Sequence, residues 1–284
     1  MNKRLLGLYG LKWNPFSPEL PAEALLTTPK IESFCWRVEQ TLVREGGFGL
    51  VTGEPGTGKS VVLRLLAERL GAMGELTVAA LAHPQSHVGD FYREMGDLFG
   101  IQLRPHNQWA GFQALRERWS AHIESTLVRP VLLIDESQEM SAAVLREIRI
   151  LASTRFDSRI ILTVVLAGDN RLTDLLRREE LLPLGSRIRV RLALEYATRD
   201  ELLACLRHVL TTAGNPKLLT PELMNTLCDH ALGNLRVLMN YGADRLAAGA
   251  QRELPQLDEK LYLELFGAPR RATTGTSRTA AARR

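Results

Sequence analysis

Residues Gly53–Ser60 read GEPGTGKS and complete the pattern G-x-x-x-x-G-K-[ST]. Each residue type in it has a physical reason to be there. Gly53, Gly56 and Gly58 let consecutive backbone N–H groups curl around an anion, and a helix starting at the loop's end adds the positive end of its dipole. Glu54, Pro55 and Thr57 fill the remaining loop positions. Lys59 brings a point charge to the outer phosphates, and the Ser60 hydroxyl is a ligand for Mg2+. The pattern acts as a phosphate-binding loop where a buried strand precedes it and an amphipathic helix follows. Phe48 to Thr52 is a short apolar run ending at glycine, and Val61, Leu65, Leu66 and Leu70 recur at helical spacing. The ligand implied is ATP with Mg2+.

Strand and helix alternate around this loop from about residue 30 to 195. Strand-like runs cover 48–52, 76–81, 131–134, 160–166 and 188–194; helical periodicity covers 60–70, 88–99, 109–127, 142–152 and 171–178. Near-continuous Val, Ile and Leu runs between helices predict an α/β fold, a five-stranded parallel sheet with helices on both faces. After Leu194 the strands stop, and 200–211, 221–231 and 235–248 predict helices. Thr198 ahead of Asp200 and Glu201, and the pair Thr220-Pro221, mark the first two starts. The expected division is an extended lead-in at 1–29, an α/β nucleotide domain at 30–195, a small all-helical lid at 196–266 and a disordered basic tail at 267–284.

Val131 to Glu136 reads VLLIDE, a buried strand ending in two carboxylates. Any strand can end in acids before a turn. Following a phosphate-binding loop by about 75 residues, however, Asp135 is placed to share a Mg2+ shell with Ser60, and Glu136 to orient and deprotonate an attacking water. A glutamate after the aspartate argues for hydrolysis rather than binding alone.

These motifs, the strand–helix order and the trailing helices resemble the AAA+ superfamily. More narrowly, they are similar to the group that holds the secretion ATPase ExeA, the transposition ATPases TniB and TnsC, and the replication-origin initiators. The resemblance runs from about Tyr9 to Leu265, and GLKWNPFSPE at 10–19 resembles the opening of ExeA-like and transposon ATPases. It implies that Pro15 and Phe16 border the adenine, although Phe16 as a core residue is an equal reading. It implies that Asn170, just past a strand end in VVLAGDN, is the polar sensor of the γ-phosphate or attacking water. Arg187, in GSRIRV, matches the arginine that reaches the ATP of a neighbouring subunit, with Arg177 and Arg178 as rivals. Arg236, in GNLRVLMN, matches the arginine of the lid. Arg146, Arg149, Arg155 and Arg159 fall in the region that faces the pore in DNA-encircling members; the plainer reading is a solvated face with ion pairs to Glu147 and Asp157.

The net charge of +4 is concentrated at one end. Five arginines (Arg270, Arg271, Arg278, Arg283, Arg284) lie in the last fifteen residues without an acid, out of 36 basic residues against 32 acidic ones in all. Three dispersed cysteines suggest a reducing compartment, and no run is long enough to span a membrane. The expected protein is cytoplasmic. It oligomerises as a ring or filament on double-stranded DNA and serves a partner transposase as a target-selection ATPase. An ExeA-like secretion-assembly ATPase, or an origin initiator or helicase loader, is the alternative.

Overall fold

The computed structural model describes residues 3–102 and 108–267. Helix α1 (Lys3–Tyr9) leads by an irregular segment to α2 (Pro29–Arg37), whose first turn is capped by the Thr28 hydroxyl accepting from Ile31 N at 3.4 Å. A wider turn at Val38–Leu42 carries the chain through α3 (Val43–Glu45) into β1 (Gly47–Gly53). Then follow α4 (Lys59–Gly71), β2 (Val78–Leu81), α5 (Val88–Phe99), α6 (Gln108–Thr126), β3 (Val131–Ile134) and α7 (Ala142–Leu151). A short hairpin of β4 (Ser153–Thr154) and β5 (Arg159–Ile160) precedes β6 (Thr163–Gly168), α8 (Asn170–Leu176), α9 (Leu182–Gly185) and β7 (Ile188–Leu194). The last helices are α10 (Arg199–Ala213), α11 (Pro221–Ala231), α12 (Leu235–Gln251) and α13 (Glu259–Gly267).

Five strands form one parallel sheet in the order β2-β3-β6-β1-β7. Because side chains alternate along a strand, β1 feeds two cores. Phe48 and Leu50 pack on one face with Leu132, Ile134 and Leu166, and Val51 packs on the other with Leu133, Val165 and Leu66. All five strands end at the same edge, at Gly53, Leu81, Ile134, Gly168 and Leu194. In parallel sheets this carboxyl edge is where ligands bind, since loops and helix N-termini gather there. Helices α10 to α13 enclose a third core around Leu206, Leu210, Leu227 and Leu238.

Three local features differ from expectation. The run 160–166 is not one strand: Ile160 belongs to the hairpin, and sheet pairing starts at Thr163, whose hydroxyl donates to the Leu42 carbonyl. Ile161 and Leu162 between them are fully buried, so the break leaves no mark on the apolar pattern. The lead-in is not wholly extended, since its start is α1, and Tyr9, Leu11 and Phe16 belong to the lid's core. The Phe16 ring lies against α12 at Gly242, where a Cβ would stand 2.3 Å from it. Helix α13 adds buried Leu261 and Tyr262, and Arg245 lies beneath it, 4.4 Å from the Tyr262 ring. The basic tail with its five arginines lies outside the described residues.

Candidate nucleotide site

The loop between β1 and α4 is shaped by two left-handed glycines, Gly56 at φ +86° and Gly58 at φ +103°, a conformation that β-carbons disfavour. Gly56 also has no room for a side chain, because its Cβ would stand 2.1 Å from Asn234 Oδ1. Lys59 begins α4 and is buried to 6% exposure; its ammonium donates to the carbonyls of Gly53 (2.9 Å) and Glu54 (3.2 Å). A cation buried at a helix N-terminus, held by carbonyls rather than by a carboxylate, favours an anionic ligand.

Beside it, β3 delivers Asp135. The Ser60 hydroxyl donates to Asp135 Oδ2 at 2.6 Å, which brings together the two oxygen donors expected to hold Mg2+. These hard oxygen ligands suit that ion, which binds by few protein groups and its own waters. Glu136 follows in a left-handed conformation (φ +49°), a backbone geometry costly for a residue with a β-carbon. It is exposed and lines the cavity, and its carboxylate accepts from Gln138 Nε2. From β6 and α8, Asn170 Nδ2 donates to the Glu54 carboxylate, so the sensor position meets the phosphate-binding loop directly. Asp169 caps α8, and Arg171 beside it holds its carboxyl below the usual carboxylate range.

The lid closes the other side. Leu235 N, at the start of α12, donates to the Gly56 carbonyl at 3.1 Å, and Asn234 Nδ2 donates to the Pro55 carbonyl at 3.0 Å. Arg236 is exposed in the first turn of α12 and lines the cavity. The cavity measures about 690 Å3, running from Lys59 and Ser60 to an apolar end at Leu25, Ile31, Val209 and Met239. Phe16 belongs both to its wall and to the lid's core.

Other expected residues lie elsewhere. Ile188 pairs with Phe48 and Leu194 with Gly53, so Arg187 stands at the strand-start edge, about 20 Å from its own loop at ~3.3 Å per residue. Its guanidinium pairs with Asp157 and donates to the Pro183 carbonyl. Arg177 and Arg178, past the end of α8, are also carried away from the loop; Arg177 pairs with Asp174 at 3.5 Å. Arg146 and Arg149 lie on α7, Arg155 and Arg159 on the hairpin. The expected ion pairs with Glu147 and Asp157 take other forms: Arg146 approaches Glu180 at 3.9 Å, Glu147 accepts from the Tyr92 hydroxyl, and Asp157 pairs with Arg187.

Two site residues escaped the sequence reading. Gln138 links the Glu136 carboxylate to the Asp169 backbone, accepting from Asp169 N at 3.2 Å. Asn234 joins lid to loop. In the sequence it stands only as part of the stretch around Arg236, with nothing to mark its meeting with the loop.

Residues 43–176 match the family described as AAA domain. Over 242 residues the chain is 31% identical to General secretion pathway protein A of Aeromonas hydrophila, an alignment taking 79% of this chain and 43% of that protein. The chain thus spans less than half the length of this relative. Among solved structures, the Aeropyrum pernix ORC2 protein matches with a TM-score of 0.71 at 15% identity, over 90% of this chain and 72% of that one. Cdc6p from Pyrobaculum aerophilum matches at 0.69 and 17%, over 90% and 74%. Domain III of the Thermotoga maritima replication initiation protein DnaA matches at 0.61 and 17%, over 89% and 97%. At these identities the likeness is one of fold. The chain has the P-loop α/β fold of the AAA+ proteins, and the family match with the geometry of its loop supports an AAA+ ATPase.

Proposed function

We propose that this chain binds ATP with Mg2+, hydrolyses it, and reaches full activity only when assembled with further copies of itself. The observation that carries the reading is the convergence of Lys59, Ser60, Asp135, Glu136 and Asn170 at one edge of the sheet. Lys59 neutralises phosphate charge, and the backbone N–H groups of the loop orient the chain of phosphates. Mg2+, held through Ser60 and Asp135, would offset the negative charge of the phosphates. Glu136 takes the proton from the attacking water, and Asn170 positions that water or the terminal phosphate. Arg187 is too far from its own loop to take part and so serves the nucleotide of a neighbour.

The task served by this ATPase is drawn from the 31% identical relative, a general secretion pathway protein. That supports secretion assembly over the transposition role expected from the sequence. Among the described residues no helix is long and apolar enough to cross a membrane. Duplex DNA as a partner rests on the arginines of α7 and the hairpin and on the likeness of fold to the Aeropyrum pernix ORC1 protein, solved in complex with DNA; a transposase rests on the resemblance of residues 10–19 to transposon ATPases. A secretion operon around the gene supports the choice; an adjacent transposase gene reverses it.

Steady-state phosphate release tests the activity. The rate per subunit should rise with protein concentration, and Arg187→Ala should retain ATP affinity while losing turnover. Mixing Arg187→Ala with Lys59→Ala subunits should restore activity, since each keeps the half-site the other lacks. A flat concentration dependence with unimpaired Arg187→Ala rejects the assembled site.

A further inference from the structure

At the edge of the sheet opposite the nucleotide, β4 and β5 pair antiparallel, with Ser153 opposite Ile160 and Thr154 opposite Arg159. The tip between them places Arg155, Phe156 and Asp157 at φ +51°, +56° and +64°. Three successive non-glycine residues in the left-handed region form a costly turn, and the tip is correspondingly tied down. Ser153 Oγ donates to the Asp157 carboxylate, Ser158 Oγ donates to the Arg155 carbonyl at 2.6 Å, and Asp157 pairs with Arg187. The product of this bracing is an uncovered aromatic ring: Phe156 is 108% exposed. A braced, fully exposed phenylalanine has no role in the fold of its own subunit.

We propose that this tip is an interface to a second copy of the chain, with Phe156 as the apolar anchor seated beside the neighbour's nucleotide site. The inference rests on the reading that Arg187 acts on a neighbour. Asp157 touches the Arg187 guanidinium, and Phe156 is its chain neighbour, so wherever Arg187 docks, the tip docks with it. Charge points to the same occupant. The hairpin end presents Arg149, Arg155, Arg159, Arg187 and Arg189 against the carboxylates of Asp157 and Glu45, whereas the nucleotide edge presents Glu54, Asp135, Glu136 and Asp169 against Lys59 and Arg171. These two ends of one chain are complementary to each other, which makes a head-to-tail contact rather than a two-fold one. The receiving edge also exposes apolar surface where the lid meets the loop: Tyr196 is 50% and Leu232 83% exposed. In this arrangement Asp157 holds Arg187 within its own subunit until the neighbour's phosphates compete for it.

Sedimentation velocity with a non-hydrolysable ATP analogue and no DNA tests the proposal, with a benzophenone amino acid at position 156 as a photocrosslinker in a parallel sample. Phe156→Ala cannot disturb a core, because the ring touches none. It should raise the concentration for half-assembly about tenfold, as loss of an interface anchor does, with analogue affinity unchanged. The crosslinker should join two copies. Assembly of Phe156→Ala at the parental concentration overturns the inference; crosslinking only to a duplex oligonucleotide added to the parallel sample overturns it and assigns the hairpin to DNA. A parental protein that stays monomeric with the analogue overturns it together with the assembled-site reading. Impaired Phe156→Ala assembly alongside unaffected turnover in Arg187→Ala keeps the interface and rejects only the arginine's role.

Discussion

Ser60 and Asp135 stand 75 residues apart in the chain, yet the Ser60 hydroxyl donates to the Asp135 carboxylate at 2.6 Å. That contact places two hard oxygen donors side by side at the end of β3 and the start of α4. Asp135→Asn should keep the fold and lower turnover by on the order of a hundredfold, because an amide is a poor Mg2+ ligand. The activating Mg2+ concentration should rise in the same variant. Turnover titrated against Mg2+ decides it, and an unchanged titration midpoint would remove Asp135 from the metal shell.

Lys59 and Glu136 should separate binding from chemistry. Lys59→Ala removes the cation that the ground-state phosphates meet, so ATP affinity should be lost. Glu136→Gln should preserve affinity and cut turnover by about 10²- to 10⁴-fold, the usual contribution of a general base. Isothermal titration with ATP, set beside phosphate release, measures both. Parental hydrolysis by Glu136→Gln would mean that another group deprotonates the water.

Asn234 has two partners, accepting from Val237 N at 3.2 Å as the cap of α12 and donating to the Pro55 carbonyl at 3.0 Å. Asn234→Ala should cost about 1 kcal/mol of stability from the lost cap and weaken ATP binding as the lid loosens. Asn234→Asp keeps the cap but not the donor, so its melting temperature should stay near parental while its ATP affinity falls. Equal affinity in Asn234→Asp and the parent would show that the lid contact is incidental.

Burial pushes the thiols of Cys35, Cys205 and Cys228 up from about 9 to about 11. A raised value means the folded state holds its protons longer than the unfolded chain. Their contribution to stability is therefore complete below about pH 9 and is lost as pH rises toward 11. At pH 8 the thiols of the folded protein should alkylate roughly a hundredfold more slowly than a free cysteine, from two units less ionisation. Cys205 lines the cavity, so ATP should slow it further. Mass-resolved iodoacetamide labelling reads each site, and rapid labelling of Cys205 with ATP present would contradict the placement.

The residues that the sequence determined by itself are those whose chemistry is local. GEPGTGKS carries its own turn-forming glycines, its cation and its hydroxyl within eight positions, and β1 and β3 announce themselves as apolar runs because both faces of a parallel sheet are buried. Helix α10 starts after Thr198, where Thr198 and Glu201 form a capping box, and α11 starts at Pro221, both at the expected starts. What only the tertiary structure decided are pairings of residues far apart in the chain. Helix α1 buries Leu5 and Tyr9 and packs Leu6 beside them, too short a pattern to read, and is held by the lid it packs on. Glu54 with Asn170, Pro55 with Asn234 and Asp157 with Arg187 are side chains whose partners lie 30 to 179 positions away. A propensity or a period extends over a few residues, so it cannot record such meetings. They arise when the sheet brings its strand ends to one edge and the lid helices close against that edge, and the physical site comes into being at that step.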